Sequence, residues 1–188
     1  MNILCIDTSA DNIALAINLN GKVPQFFVGS DDKKKHNSVL LGYIDRLLRK
    51  NNVDIKDIDV FGVVVGPGSF TGIRVGVATV NAFAMANDKK IVEITSLEQL
   101  SDNNNMVLLD CKHDNYYCGI FNKEDTVYLA LTKSEIDDYN IEKRLLEGVY
   151  PELMLKKCLE KADKGLYVIK AKPFYLKASS AERENSDI

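Results

Sequence analysis

Asp7 closes a short apolar run, Ile-Leu-Cys-Ile-Asp, and is followed at once by Thr8 and Ser9. A carboxylate at a strand end beside two hydroxyls can hold a cation, polarise a water, or cap its own turn by accepting from nearby backbone N–H groups. For a single acid the cap is the ordinary role. Asp110 repeats the arrangement at the end of Met106–Asp110, and two such acids facing one cleft would suit magnesium–phosphate chemistry. The second candidate is Gly-Pro-Gly-Ser-Phe-Thr-Gly, residues 66–72. Its glycines fall at 66, 68 and 72, one place too late for the dinucleotide fingerprint, and Gly72 is followed by Ile73-Arg74 rather than by Lys-Ser or Lys-Thr. The stretch still makes a strand-to-helix junction in which Ser69 or Thr71 caps a helix. The exposed N–H groups there, with Arg74 one turn on, could hold an anion.

Other chemistry finds little support. The histidines are His36 and His113, and neither has a second histidine at helical spacing, whereas a metal site takes three or four ligands. No Gly-x-Ser-x-Gly elbow occurs. Cys111 lies between Asp110 and Lys112, but no histidine is indicated as its base. Three of the four cysteines, Cys5, Cys111, Cys118 and Cys158, sit in apolar runs, and there is no Cys-x-x-Cys pair. Buried reduced thiols are expected. With 24 basic and 27 acidic residues the net charge of -3 gives no electrostatic reason to expect nucleic acid as a direct ligand. No apolar run approaches the length of about 20 needed to cross a bilayer. A soluble, cytoplasmic protein without membrane contact is expected.

The elements that must position these residues follow from periodicity. Strands are predicted at 2–7, in two pieces of 13–28 split by Asn20-Gly21, and at 58–65, where a continuous apolar run suits a strand covered on both faces. A helix capped by Asn37 or Ser38, with His36 at its start, carries Leu40, Ile44, Leu47 and Leu48 and ends at Asn51-Asn52. A second helix runs from the junction to about Ala86. On it Gly72 and Gly76 share a face with Thr79, Val80 and Phe83, and a neighbouring face carries Ala78, Ala82 and Ala86. Two glycines inside a helix cost up to about 1 kcal/mol each relative to alanine, so close approach by another element is expected. That element is the protein's own sheet, or a second chain using the opposite, alanine-lined face. A strand at 89–95 and a short helix from Ser96 follow.

The chain then repeats itself. At an offset of 103, Ile3–Asp7 aligns with Met106–Asp110, Asp11-Asn12 with Asp114-Asn115, and Ile17 with Ile120. Both copies read as strand, Asp, turn, strand, which predicts two related lobes. Beyond them come a strand at 126–133, a polar helix or loop, and a helix at 151–162 with Leu155, Cys158, Leu159 and Ala162 on one side. Extended pieces at 166–169 and 173–177 follow. The expected division is a first lobe at 1–100, a shortened second lobe at 101–177, and a loose polar tail at 178–188.

ILCIDTS, HNSVLLGYIDRLL, GVVVGPGSFTGIRVGVATVNAFA and KPFYLKASSAE together resemble the TsaB (YeaZ) family, related to TsaD and Kae1, most closely from Met1 to about Ser96. Where that family has Asp-Ala-Arg and later Glu-Val-Tyr, Asp110 and Tyr117 fit, while Cys111, Lys112 and Asn115 depart. The resemblance implies an α/β fold of the actin, Hsp70 and sugar-kinase (ribonuclease H-like) kind, two-lobed, with mixed sheets flanked by helices and the second lobe reduced. It implies a non-catalytic subunit, without cofactor or metal, that binds and activates the TsaD transferase. That transferase carries out N6-threonylcarbamoylation of adenosine 37 in tRNAs reading ANN codons. TsaE, an ATPase, is the implied third partner, a homodimer the state when alone, and tRNA contact indirect or weak.

On that basis the partner-binding residues are expected to be Gly68, Ser69, Phe70, Thr71, Gly72, Arg74, Gly76, Val77, Val80 and Ala84, supported by Leu40, Leu41 and Ile44. Arg74 would pair with a partner carboxylate or brace the turn; Phe70 would anchor in a partner or plug its own core. The alternative is a small actin-like ATPase or phosphotransferase using Asp7 and the Gly66–Gly72 junction, with Asp7, Thr8, Ser9, Gly68 and Asp110 as a vestigial nucleotide site. A peptidase has no residues to support it.

Overall fold

The computed structural model describes residues 1–29, 36–102 and 104–176, with the side chains of residues 36–38 excepted. The expected tail at 178–188, and the capping roles expected of His36, Asn37 and Ser38, lie outside what is described.

The first sheet is built from β1 (Ile3–Asp7), β2 (Ile13–Asn18), β3 (Gln25–Gly29), β4 (Val60–Gly66) and β5 (Lys90–Thr95). Its order is β3-β2-β1-β4-β5, with β1–β2 and β2–β3 antiparallel, and β1–β4 and β4–β5 parallel. Parallel neighbours need crossovers. Helix α1 (His36–Asn51) and helix α2 (Phe70–Asn87) supply them. Every residue of β1 and β4 is buried, which is why these strands read as unbroken apolar runs. Successive side chains go to opposite faces. Leu4, Ile6, Phe61 and Val63 pack with Leu40, Ile44, Ile73, Val77 and Val80 of α1 and α2. Ile3, Cys5, Val60 and Val64 point the other way.

That second face is covered from far along the chain. Helix α4 (Pro151–Asp163) lays Met154, Leu155, Cys158 and Ala162 on Ile3, Cys5, Ala14, Ala16, Val92 and Ile94. Gly62 makes the approach possible: a Cβ there would lie 2.6 Å from Cys5 Sγ and 2.8 Å from Cys158 Sγ. Burying each large apolar side chain in this layer contributes about 1.5–3 kcal/mol.

The second sheet contains β6 (Asn104–Asp110), β7 (Asn115–Asn122), β8 (Thr126–Thr132) and β9 (Glu142–Leu145), in the order β8-β7-β6-β9. β6–β7 and β7–β8 are antiparallel and β6–β9 parallel. The sheets therefore share their first four positions. The 103-residue offset carries β1 onto the end of β6, β2 into β7 and β3 into β8. The copies part company after β8. In the first lobe a 16-residue α1 follows the third strand, whereas here there is the five-residue α3 (Lys133–Asp137), held by a Thr132–Glu135 capping box. The segment then sends α4 to the first sheet. Its last stretch follows the same route: Val168 bridges to Ile91, Ala171 N–H donates to Asn81 Oδ1 (2.8 Å), and Phe174 N–H donates to Val65 O (2.8 Å). The fold is thus the two-sheet, helix-flanked class expected from the sequence, with the second lobe reduced.

Candidate partner-binding surface and the Asp7 turn

Strand β4 ends in Gly66, and α2 begins at Phe70 with Ser69 as its cap, whose Oγ accepts from Gly72 N–H at 3.3 Å. The junction is tied to the turn after β1. Ser69 N–H donates to Ser9 O (2.7 Å), and Thr8 Oγ1–H donates to Gly72 O (2.7 Å). Gly68 has to be glycine because a Cβ there would overlap the Ser9 carbonyl oxygen. The turn itself is organised by Asp7. Its Oδ1 accepts from Ser9 N–H (2.8 Å) and Ser9 Oγ–H (2.6 Å), while Oδ2 accepts from Gln99 Nε2 (2.9 Å). Ser96 Oγ adds a bond to Ser9 Oγ at 3.2 Å.

This geometry corrects the nucleotide alternative. Asp7, Thr8, Ser9 and Gly68 do come together, but as a closed turn: Asp7 and Thr8 are fully buried and Ser9 nearly so. A carboxylate sealed in this way, accepting from three protein donors, faces no open cleft for phosphates among the described residues. Asp110 stands outside the network. It is exposed, and its Oδ1 accepts from Lys112 N–H in its own turn (2.6 Å). At the junction suggested by the glycines, the Ser69 N–H is taken by Ser9 O and the Gly72 N–H by Ser69 Oγ.

The partner surface needs a correction too. Gly72, Gly76, Val77, Val80 and Ala84 are buried on the inward side of α2, and Leu40 and Ile44 on that of α1. A Cβ at Gly76 would overlap Thr8 Oγ1. The close approach that these glycines permit is to the protein's own first turn and sheet, so these seven residues are not offered to a partner. The outward side of α2 carries Phe70, Thr71, Arg74, Ala78, Ala82, Met85 and Ala86, all exposed, beside exposed Gly68 and Ser69. Leu41 is the outward residue of α1, at 57% exposure. Met85 is 84% exposed and Ile169, across a groove of about 520 Å³, is 92% exposed. Neither was singled out from sequence. Met85 follows Ala78 by seven positions and Ala82 by three, so the helical repeat places it on the alanine face.

Arg74 braces its own molecule. Its Nε donates to Tyr175 Oη at 2.9 Å, and its guanidinium carbon lies 3.8 Å from the Phe70 ring centroid. Phe70, 38% exposed, sits against the Tyr175 ring at 5.3 Å. The trio pins the 174–176 segment to the start of α2.

The paired mixed sheets with helical flanks define a protein of the actin-like fold class. The family model described as "TsaD: tRNA N6-adenosine threonylcarbamoyltransferase" matches residues 27–137, more than half of the chain, and the chain belongs to that family. Its similarity to TsaB, read above from the motifs, is supported by its relatives. It is 26% identical to the tRNA threonylcarbamoyladenosine biosynthesis protein TsaB of Bacillus subtilis, over 75% of this chain and 62% of that protein. To the Haemophilus influenzae TsaB it is 26% identical over 54% of this chain and 42% of that protein. The chain therefore spans about half the length of these curated relatives. YeaZ from Pseudomonas aeruginosa has the same fold, with a TM-score of 0.74 at 19% identity, covering 93% of this chain and 99% of that one. No helix among the described residues is long and apolar enough to cross a membrane.

Proposed function

We propose that this chain is a partner subunit in the synthesis of threonylcarbamoyladenosine on tRNA. It binds the TsaD transferase and supports its N6-threonylcarbamoylation of adenosine 37, rather than carrying out the transfer. The reading rests on family membership and on one structural observation. The outward side of α2 is a run of small and apolar residues, Ala78, Ala82 and Met85, left uncovered beside Ile169. Alanines let a second helix come close, and a flexible methionine fills what remains. In this reading the same side forms a homodimer when the transferase is absent, TsaE joins the pair, and tRNA is touched weakly or indirectly.

The test is copurification with the transferase subunit of the same organism. Ala82→Arg and Met85→Glu, both at exposed positions, are expected to abolish the complex while the melting temperature of the free chain stays within a few degrees of wild type. Undiminished association in both variants would remove this side of α2 from the interface.

A further inference from the structure

A cavity of about 550 Å³ lies between the two sheets, within the usual size for a small-molecule site. It opens where the parallel strands β4 and β5 end, at Val65, Glu93 and Thr95. Open α/β sheets commonly bind ligands at that position. Its apolar wall is Val65, Val168, Pro173 and the Phe174 ring, which packs edge-on to Tyr128 at 5.0 Å.

The polar lining has unspent capacity. Lys161 is fully engaged: its ammonium donates to Glu93 O (2.8 Å) and Glu98 Oε2 (2.9 Å), and Glu98 Oε1 lies 2.7 Å away. Glu98 also accepts from Thr95 N–H (2.5 Å), and Glu93 Oε1 accepts from Lys172 N–H (2.7 Å). Both carboxylates are thus neutralised or hydrogen-bonded by the protein. The ammonium groups of Lys170 and Lys172 have no carboxylate partner among the described residues.

A hydroxyl count adds a second observation. Thr95 Oγ1 and Tyr128 Oη are 3.1 Å apart and share one hydrogen bond. Thr95 Oγ1 also accepts from Glu98 N–H (3.2 Å). Two hydroxyls bring two protons, and only one is used between them. Whichever group donates, the other hydroxyl proton is not used in that bond. Burial, with the Glu98 charge beside it, pushes the Tyr128 phenol above its ordinary value, so the proton stays on.

We propose that this cavity binds a small organic anion, its charged head held by Lys170, Lys172 and the spare Thr95/Tyr128 hydroxyl, its flat or apolar body against Phe174 and Val65. Lys170 also lines the groove beside α2, whereas Lys172, Thr95, Tyr128 and Phe174 belong to this cavity and not to that groove.

The test is calorimetric titration of the full chain with phenyl phosphate, which carries both features. Saturable binding with a Kd of about 1 mM or tighter is expected. The double variant Lys170→Ala/Lys172→Ala, at exposed positions, should weaken it about tenfold or more. Tyr128→Phe should weaken it several-fold with the ring packing retained. Inorganic phosphate and phenol, each lacking one feature, should bind more weakly than phenyl phosphate. Absence of saturable binding, or unchanged affinity in the lysine double variant, overturns the proposal. Inorganic phosphate binding as tightly as phenyl phosphate would overturn the organic body, and phenol binding as tightly would overturn the anionic head.

Discussion

The turn after β1 and the turn after β6 both open with an aspartate that closes an apolar strand, yet Asp7 is fully buried and Asp110 exposed. Around Asp7, α2 presses its glycine edge onto Thr8, and Gln99 reaches in from the start of the second half. Around Asp110 the carboxylate accepts from the Lys112 N–H two residues on. The duplicated signal is the same; the covering is not. What a carboxylate does at such a position is decided by the helix laid over it, and the second lobe has sent its long helix elsewhere.

The steepest way to break this comparison is to pry α2 from the first turn. Val80→Asp places an unpaired charge in a fully buried site and is expected to cost about 4 kcal/mol or more. Gly76→Arg drives a side chain into Thr8 and should be of the same order. Both should appear in chemical denaturation as chains that no longer fold stably. Next comes the direct comparison of the two acids. Asp7→Ala strands the donors of Ser9 and Gln99 and should cost about 3 kcal/mol, while Asp110→Ala should stay within about 0.5 kcal/mol. Equal losses would show the turns to be equivalent after all.

Smaller effects sharpen the picture. Arg74→Ala removes the bond to Tyr175 and the contact over Phe70, at about 1 kcal/mol. It should be visible first as faster proteolysis near residue 175. In the second sheet, burial pushes the Cys118 thiol up to about 11. The folded form therefore holds its proton where the unfolded chain has begun to lose it. Stability from this group is intact below the unfolded value near 9 and declines as pH rises from there toward 11. Cys118→Ala should flatten that decline in stability, an effect of about 1 kcal/mol at one pH unit above the unfolded value.

Much of the fold was legible because burial on both faces leaves its mark on the sequence. The runs Ile3–Ile6 and Val60–Val65 have no polar break, and the offset of 103 announces a second copy. The destination of α4 was not legible. Leu155, Cys158 and Ala162 declare that one side of the helix is covered, but an apolar stripe does not say which sheet covers it. The site shows the same limit more sharply. Gly72 and Gly76 correctly signalled a near neighbour, and the neighbour turned out to be Thr8 rather than a foreign helix. Glycine reports how close something comes, not whose it is. Met85 was missed because a methionine in an apolar helix reads as core until the inward side is known. Gln99 was missed because its partner, Asp7, lies 92 residues away.

The seating of Cys158 over Gly62 against Cys5 has a consequence for biosynthesis. As the chain leaves the ribosome, one whole side of the first sheet, with Ile3, Val64 and Ile94 in it, waits bare until α4 has been made. A nascent chain stopped near residue 100 carries an adhesive slab in place of a finished lobe. It needs either a chaperone or speed to avoid clumping with its neighbours.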